Sequence, residues 1–251
     1  MLLSITEKCR MGCTHCMDDA KADCDKFITD SMFKKAVEFN YKYDKTLTVT
    51  GGEPTEHPDF WKLMYLLAHK MKSNEVATVV TNGMNLDNND IIKINDLNMI
   101  CKGHILWQVT SVPEYYPYKI DLSKEIFHLK TFTIANEIEA LYPIGRAKNH
   151  PEWDFSKVKA TKCFNIRSLI RSTGDFAFSI RQLREIFKFC TPQISYDGHI
   201  KLGESTLCPN VAHIEDDEMT IIMRCCSFKC KGCKEIVDRL PQKYKNAIGE
   251  E

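Results

Sequence analysis

Short apolar runs alternate with amphipathic runs through the first half of the chain, and this alternation constrains the fold most strongly. Amphipathic runs predict a helix over residues 31–40, capped by Asp30 or Ser31, and another that opens at Pro58. Repeated strand–helix units build a parallel sheet covered by helices, so the pattern predicts an α/β fold. The predicted strands are residues 2–6, 47–50, 76–80, 105–109 and 131–134.

Charge and composition set the class of protein. The 34 basic residues balance 34 acidic ones, which does not favour a nucleic-acid partner. No stretch approaches eighteen apolar residues, so we expect no membrane span. The first strand leads directly to Cys9 without a signal-peptide pattern, and we expect a cytoplasmic protein. Twelve cysteines in that compartment stay reduced, and clustered thiols there bind metal.

Three cysteines, Cys9, Cys13 and Cys16, fall within eight residues directly after the first predicted strand. Thiolates are the usual ligands of iron–sulfur clusters, and three of them leave one iron of a four-iron cube open to an exchangeable ligand. A structural zinc site is the alternative, although such sites use four ligands in paired short spacings. The spacing favours the open cluster.

This C-x3-C-x2-C segment resembles the signature of the radical S-adenosylmethionine (SAM) superfamily. The resemblance extends to a Gly-Gly-Glu-Pro motif at residues 51–54, a Thr-Asn-Gly motif at 81–83 and a Pro-Ile-Gly-Arg segment at 143–146. It implies that the three cysteines hold a [4Fe–4S] cluster and that SAM chelates the fourth iron. The SAM-contacting residues it implies are His15, Gly51, Gly52, Glu53, Pro54, Asn82, Thr110, Ser111 and Arg146.

The resemblance also implies an architecture, a partial (β/α)6 TIM-like barrel over residues 1–150. The cysteine triad, the motifs at residues 51–54 and 81–83, and the Thr110-Ser111 step each follow a predicted strand. Ligands of parallel α/β folds bind at the carboxyl ends of strands. Many relatives carry an Asp two residues after the fourth-strand Ser. This chain has Pro113 there, which leaves the ribose contacts open.

The C-terminal segment carries a second group of cysteines. A helix is predicted over residues 179–189, a hairpin over 193–202 with a two-residue Asp197-Gly198 turn, and a helix over 216–223. This order resembles the Twitch domain, a shortened SPASM extension, and implies a small hairpin-plus-helix domain over residues 151–240 before a polar tail at 241–251. The implied ligands of its auxiliary iron–sulfur cluster, expected as [4Fe–4S], are Cys190, Cys208, Cys230 and Cys233.

Alternatives to this ligand set remain open. Cys225 and Cys226 are rival ligands to Cys190 or Cys208, and four thiols that include a C-x-x-C could instead hold zinc.

The function implied by the resemblance is that of a radical SAM oxidoreductase. An electron donor of flavodoxin or ferredoxin type supplies one electron, SAM is cleaved to a 5′-deoxyadenosyl radical, and the radical abstracts hydrogen from a substrate C–H bond. Net oxidation of a small polar metabolite is the favoured reaction. The alternatives are modification of a ribosomally made peptide and a non-catalytic iron–sulfur or zinc protein. No catalytic acid or base can be nominated.

Overall fold

The computed structural model describes residues 1–138, 141–155, 192–201 and 209–227. The chain divides into two compact units. The first consists of Met1–Gly12, Ala20–Glu137 and Ile194–Gly198, and the second consists of Cys13–Asp19, Ile138–Gln193 and His199–Glu251. The predicted boundary at residue 150 stays a prediction.

A parallel sheet of five strands forms the centre of the first unit. The strands are β1 (Leu2–Ser4), β2 (Thr46–Thr50), β3 (Val76–Thr81), β4 (His104–Thr110) and β5 (Phe132–Ala135). They lie in the order β5-β4-β3-β2-β1, and the register aligns Leu3 with Val49, and Val79 with both Val49 and Trp107. The sheet is not closed, and the predicted α/β class with a mostly parallel sheet is confirmed.

Three α-helices connect the first four strands: α1 (Asp30–Tyr43), α2 (Phe60–Lys70) and α3 (Asp90–Ile100). The predicted cap of α1 is wrong, since the side chain of Thr29 accepts from the amide of Met32.

Helix α3 has no counterpart in the sequence prediction. Its Ile92 and Met99 are 70% and 77% exposed, so its apolar residues do not repeat along a single face.

The connection between β4 and β5 departs from the strand–helix repeat. Residues 111–131 contain one short 3₁₀ turn, Glu125–His128, and no α-helix. Pro113 and Pro117 lie in this connection, and proline disrupts a helix interior because it lacks an amide hydrogen. The predicted pattern of strand and helix therefore holds for three consecutive units and changes at the fourth.

Trp107 lies at the centre of the packing between the sheet and α2. It is fully buried, and its ring stacks on Phe132 of β5 with centroids 5.5 Å apart. It also meets Phe60 of α2 edge-on at 6.1 Å. Alternate strand residues therefore face α2 and form the core, while their neighbours face the opposite side of the sheet.

The remaining described elements are β6 (Gln193–Ile194), β7 (His199–Lys201), β8 (Asn210–His213) and α4 (Glu218–Ser227). Strands β7 and β8 form an antiparallel pair in the second unit. The predicted two-residue turn is wrong in detail. The amide of Gly198 donates to the carbonyl of Ser195 at 2.8 Å, so Tyr196 and Asp197 are the central residues and Gly198 (φ +83°) follows them. The helix predicted over residues 179–189 lies outside the described residues.

Within the described ranges, no helix combines the length and the apolar composition needed to cross a lipid bilayer.

A stability prediction follows from Asn40, which is fully buried in α1. In the described part of the chain, neither its side-chain nitrogen nor its oxygen has a hydrogen-bond partner. Asn40→Leu should raise the free energy of unfolding by about 1–3 kcal/mol, because a buried amide without partners costs about that much. Denaturant titration measures the gain.

Asn98→Leu on the exposed side of α3 is the matched control, since it repeats the gain in helix propensity without burial. Equal effects of the two substitutions would contradict the role assigned to burial.

Candidate functional site

The first cysteine loop leaves the sheet after β1. Cys9 is 7% exposed, and its backbone amide donates to the carbonyl of Lys21 at 3.0 Å. Cys13 and Cys16 are partly exposed, and none of the three thiols is in a disulfide. Gly12 between them has φ +67°, a conformation that L-residues rarely adopt. Three reduced thiols are thus available within one short loop.

The chemistry of these donors fits an iron–sulfur cluster. In the described residues, no three His, Cys, Asp or Glu side chains are gathered as ligands of one metal ion. The three cysteines offer thiolates, which are the usual protein ligands of iron–sulfur clusters. Cys9, Cys13 and Cys16 therefore remain the predicted ligands.

Gly51 and Gly52 bring the end of β2 against the chain that precedes Cys9. A Cβ on Gly51 would lie 2.6 Å from the carbonyl oxygen of Thr6, and one on Gly52 would overlap the carbonyl of Lys8. The amides of Gly52 and Glu53 donate to these same two carbonyls, each at 2.7 Å. The glycines therefore allow close approach of backbone to backbone, in addition to the approach to a ligand expected from the sequence.

Glu53 is buried, with 1% of its surface exposed, and its carboxylate joins the ends of β2 and β3. Its Oε1 accepts from the hydroxyls of Thr55 and Thr81, each at 2.6 Å, and its Oε2 accepts from the amide of Asn82 at 2.7 Å. Burial raises the pKa of Glu53, and the hydrogen bonds from these donors oppose that rise. The contact predicted from Glu53 to the SAM amino group stays a prediction.

Asn82 connects the Thr-Asn-Gly motif to the first cysteine. Its side-chain Nδ2 lies 3.8 Å from Cys9 Sγ, and its Oδ1 accepts from the amide of Met84 at 2.8 Å. The next residue, Gly83 (φ +75°), donates its amide to Thr81 Oγ1 at 3.0 Å. The turn after β3 therefore holds the Asn82 side chain against the cysteine sulfur.

A second set of contacts holds the residue after Cys9, and sequence analysis did not anticipate it. The backbone amide of Arg10 donates to Glu56 Oε1 at 2.9 Å, and its guanidinium pairs with the same carboxylate at 3.3 Å. Arg10 Nη2 also donates to Asn85 Oδ1 at 2.7 Å. The signal available in the sequence was the acidic Glu56, three residues after Glu53. Pro54, between them, is buried at the start of a 3₁₀ turn.

Thr110 is the last residue of β4, one residue further along the strand than predicted, and Ser111 follows it. Tyr116 donates its hydroxyl to Thr110 Oγ1 at 2.7 Å, and Thr110 donates to the carbonyl of Thr81 at 3.4 Å. Ser111 is buried, and its amide donates to the carbonyl of Ala135 at 2.8 Å. Thr110 and Ser111 are therefore held by hydrogen bonds to the neighbouring strands and to the loop that follows β4.

In the second unit, Arg146 binds the backbone of the cysteine loop. Its Nε donates to the carbonyl of Cys13 at 2.7 Å, and its amide donates to the carbonyl of Cys16 at 2.9 Å. Its guanidinium also pairs with Asp19 at 3.4 Å. Gly145 (φ +56°) permits this packing, because a Cβ there would overlap carbonyls of the loop. The contact predicted between Arg146 and SAM stays a prediction beside this one.

His15 lies in the same loop and is partly buried. Burial and the nearby Arg146 charge lower the pKa of His15 to about 4. Its imidazole is therefore neutral at physiological pH, and the contact predicted between His15 and SAM stays a prediction.

The four predicted auxiliary ligands lie outside the described residues, and they are Cys190, Cys208, Cys230 and Cys233. The rival positions Cys225 and Cys226 fall in the last turns of α4. The auxiliary cluster therefore stays a prediction.

The segment that carries these motifs is similar to known proteins. The model of the radical SAM superfamily matches residues 3–106. The GTP 3′,8-cyclases of three strains of Vibrio cholerae serotype O1 are 33% identical over 89 residues. That match covers 34% of this chain and 26% of each cyclase, so it spans about a quarter of those relatives.

Solved structures are similar over a larger share of the chain. The crystal structure of BtrN in complex with AdoMet and 2-DOIA has a TM-score of 0.54 at 10% identity, covering 98% of this chain and 87% of BtrN. The crystal structure of Streptococcus suis SuiB has a TM-score of 0.46 at 12% identity, covering 94% of this chain and 71% of SuiB. At such identities the likeness to BtrN concerns the fold alone.

The family match begins in β1 and ends in β4, so it includes the cysteine loop, both glycines, Glu53 and Asn82. Over residues 3–106, this chain is similar to the radical SAM superfamily.

Proposed function

We propose that the chain is a radical SAM oxidoreductase whose SAM-binding cluster is held by Cys9, Cys13 and Cys16. One observation carries the proposal: Asn82 holds together the first cysteine and the buried Glu53 at the carboxyl ends of the parallel strands. Ligands of parallel α/β folds bind at that edge. Cys9, Glu53 and Asn82 are thus connected by hydrogen bonds within the first unit.

The protein's own part is to hold the cysteines and to position SAM. A bound cluster of this kind supplies the electron that cleaves SAM to methionine and a 5′-deoxyadenosyl radical, which takes hydrogen from a substrate C–H bond. Gly52 and Glu53 hold the backbone before Cys9, and Arg146 holds the carbonyls of Cys13 and Cys16. Fixed backbone positions limit the loop to few conformations, which favours a defined site.

A small polar metabolite suits the sheet face that points away from the helices. Near the carboxyl ends of β1 to β4, this face presents uncharged side chains. Hydroxyl and amide groups bind polar uncharged groups by hydrogen bonds, without the cost of burying an unpaired charge. The polar side chains on this face are Ser4, Thr50, Gln108 and Thr110, and Val80 lies among them.

The proposed ligand set is tested by substituting Cys9, Cys13 and Cys16 together with alanine. The purified protein should lose about four irons per chain, because one cube is lost, and about four should remain if the auxiliary cluster forms. SAM and dithionite added anaerobically should then release no 5′-deoxyadenosine, as measured by liquid chromatography.

Cys24→Ala is the matched control, since Cys24 is a further free thiol outside the triad. It should keep both the iron content and the cleavage of SAM. If wild-type protein that is fully loaded with iron releases no 5′-deoxyadenosine, the proposed enzymatic cleavage of SAM is wrong.

The role of close backbone packing is tested by Gly52→Ala. The added Cβ would overlap the Lys8 carbonyl, displacing the residue before Cys9, so we expect a marked loss of cluster iron. Gly103→Ala is a matched control. Gly103 lies just before β4, and a Cβ on it would overlap the carbonyl of Glu75. That variant should lose stability without losing iron from the folded protein. Similar iron contents in the two folded variants would refute the assignment.

The substrate class is tested by supplying wild-type enzyme with SAM, dithionite and sets of deuterated candidate substrates. A small polyhydroxylated metabolite should transfer deuterium to 5′-deoxyadenosine and yield a product lighter by two hydrogens, because oxidation removes a hydrogen atom, an electron and a proton. Deuterium transfer from peptides alone would favour the alternative of peptide modification. Mass spectrometry measures both products.

A further inference from the structure

The contact between Asn82 and Cys9 has a direction that the surrounding hydrogen bonds determine. An asparagine amide has a donor side and an acceptor side, and the Met84 amide donates to Oδ1 at 2.8 Å. Oδ1 is thus the acceptor side, and Nδ2 must face Cys9 Sγ, at 3.8 Å. Sulfur is larger than oxygen, so hydrogen bonds to it are longer than those to carbonyls.

The Asn82 side chain has little freedom to leave this position. Asn82 is 7% exposed, and its backbone amide is held by the carboxylate of Glu53 at 2.7 Å. Cys9 is equally buried, and its own amide is held by the carbonyl of Lys21. Both groups are therefore fixed by backbone hydrogen bonds, and water does not compete freely for the sulfur.

We propose that Asn82 tunes the reduction potential of the SAM-binding cluster by donating an N–H···S hydrogen bond to the thiolate of Cys9. This inference rests on the proposed function, because it needs Cys9 as a cluster ligand. Reduction adds negative charge that spreads onto the cysteine sulfurs, so a donor at a sulfur stabilises the reduced cluster more than the oxidised one. Asn82 is a positioning and tuning residue, and no contact with substrate is assigned to it.

Two variants separate the hydrogen bond from the charge. Asn82→Asp keeps an acceptor for the Met84 amide but loses the donor and can add a negative charge. Asn82→Ala loses the donor without adding charge. Both should make the cluster harder to reduce, by up to about tenfold in the equilibrium constant, which is about 59 mV for one electron. A redox titration followed by electron paramagnetic resonance measures the potential.

Asn88→Ala is the matched control, because the Asn88 side chain lies in the segment after the same turn and accepts from the backbone amide of Ile126 at 3.2 Å. Its potential should equal that of the wild type. A shift in Asn82→Asp without one in Asn82→Ala would overturn the proposal, because added charge alone would explain it.

The failure of this inference is distinguishable from failure of the proposed function. A wild-type cluster that cleaves SAM, with unchanged potentials in both Asn82 variants, would overturn the tuning role alone. A protein that binds no cluster would overturn both.

A measurement on the wild type decides the matter if the variants do not retain their cluster. Protein containing asparagine labelled with ¹⁵N in its side chain is reduced and studied by pulsed electron paramagnetic resonance. A ¹⁵N coupling to the cluster supports the hydrogen bond from Asn82, and its absence overturns it.

Discussion

The candidate site depends on the hydrogen bonds that the buried carboxylate of Glu53 accepts. A carboxyl group without partners at this depth would be costly, and here the Thr55 and Thr81 hydroxyls and the Asn82 amide satisfy it. These donors come from the segments that follow two neighbouring strands. The Glu53 side chain therefore connects these two loops, and the Asn82 side chain contacts the sulfur of Cys9.

The fold was predictable where its physics is local. Alternating apolar residues gave the five strands to within one or two residues at their ends, because a half-buried strand repeats every second residue. Helix α3 was not predictable in this way, since Ile92 and Met99 point to solvent and remove the helical period. The loop between β4 and β5 was expected to follow the strand–helix repeat, but its two prolines accompany a single short 3₁₀ turn.

The site was predictable as a set of motifs but not as a set of contacts. Cysteine spacing and glycine pairs are visible in sequence, and the family match covers residues 3–106. The pairing of Arg10 with Glu56 joins residues 46 positions apart, and that of Arg146 with Cys13 joins residues 133 positions apart. Such contacts depend on three-dimensional proximity, so the sequence could suggest a ligand role for Arg146 but not its hold on the loop backbone.

The packing of Gly52 on Lys8 has a consequence for protein engineering. The two segments touch through main-chain atoms, so no exchange of side chains can relieve a clash between them. Loops grafted from relatives should therefore be transplanted as a pair, residues 6–9 together with residues 51–53. In a library that randomises one segment and keeps the other, we expect that most variants cannot pack these two segments together.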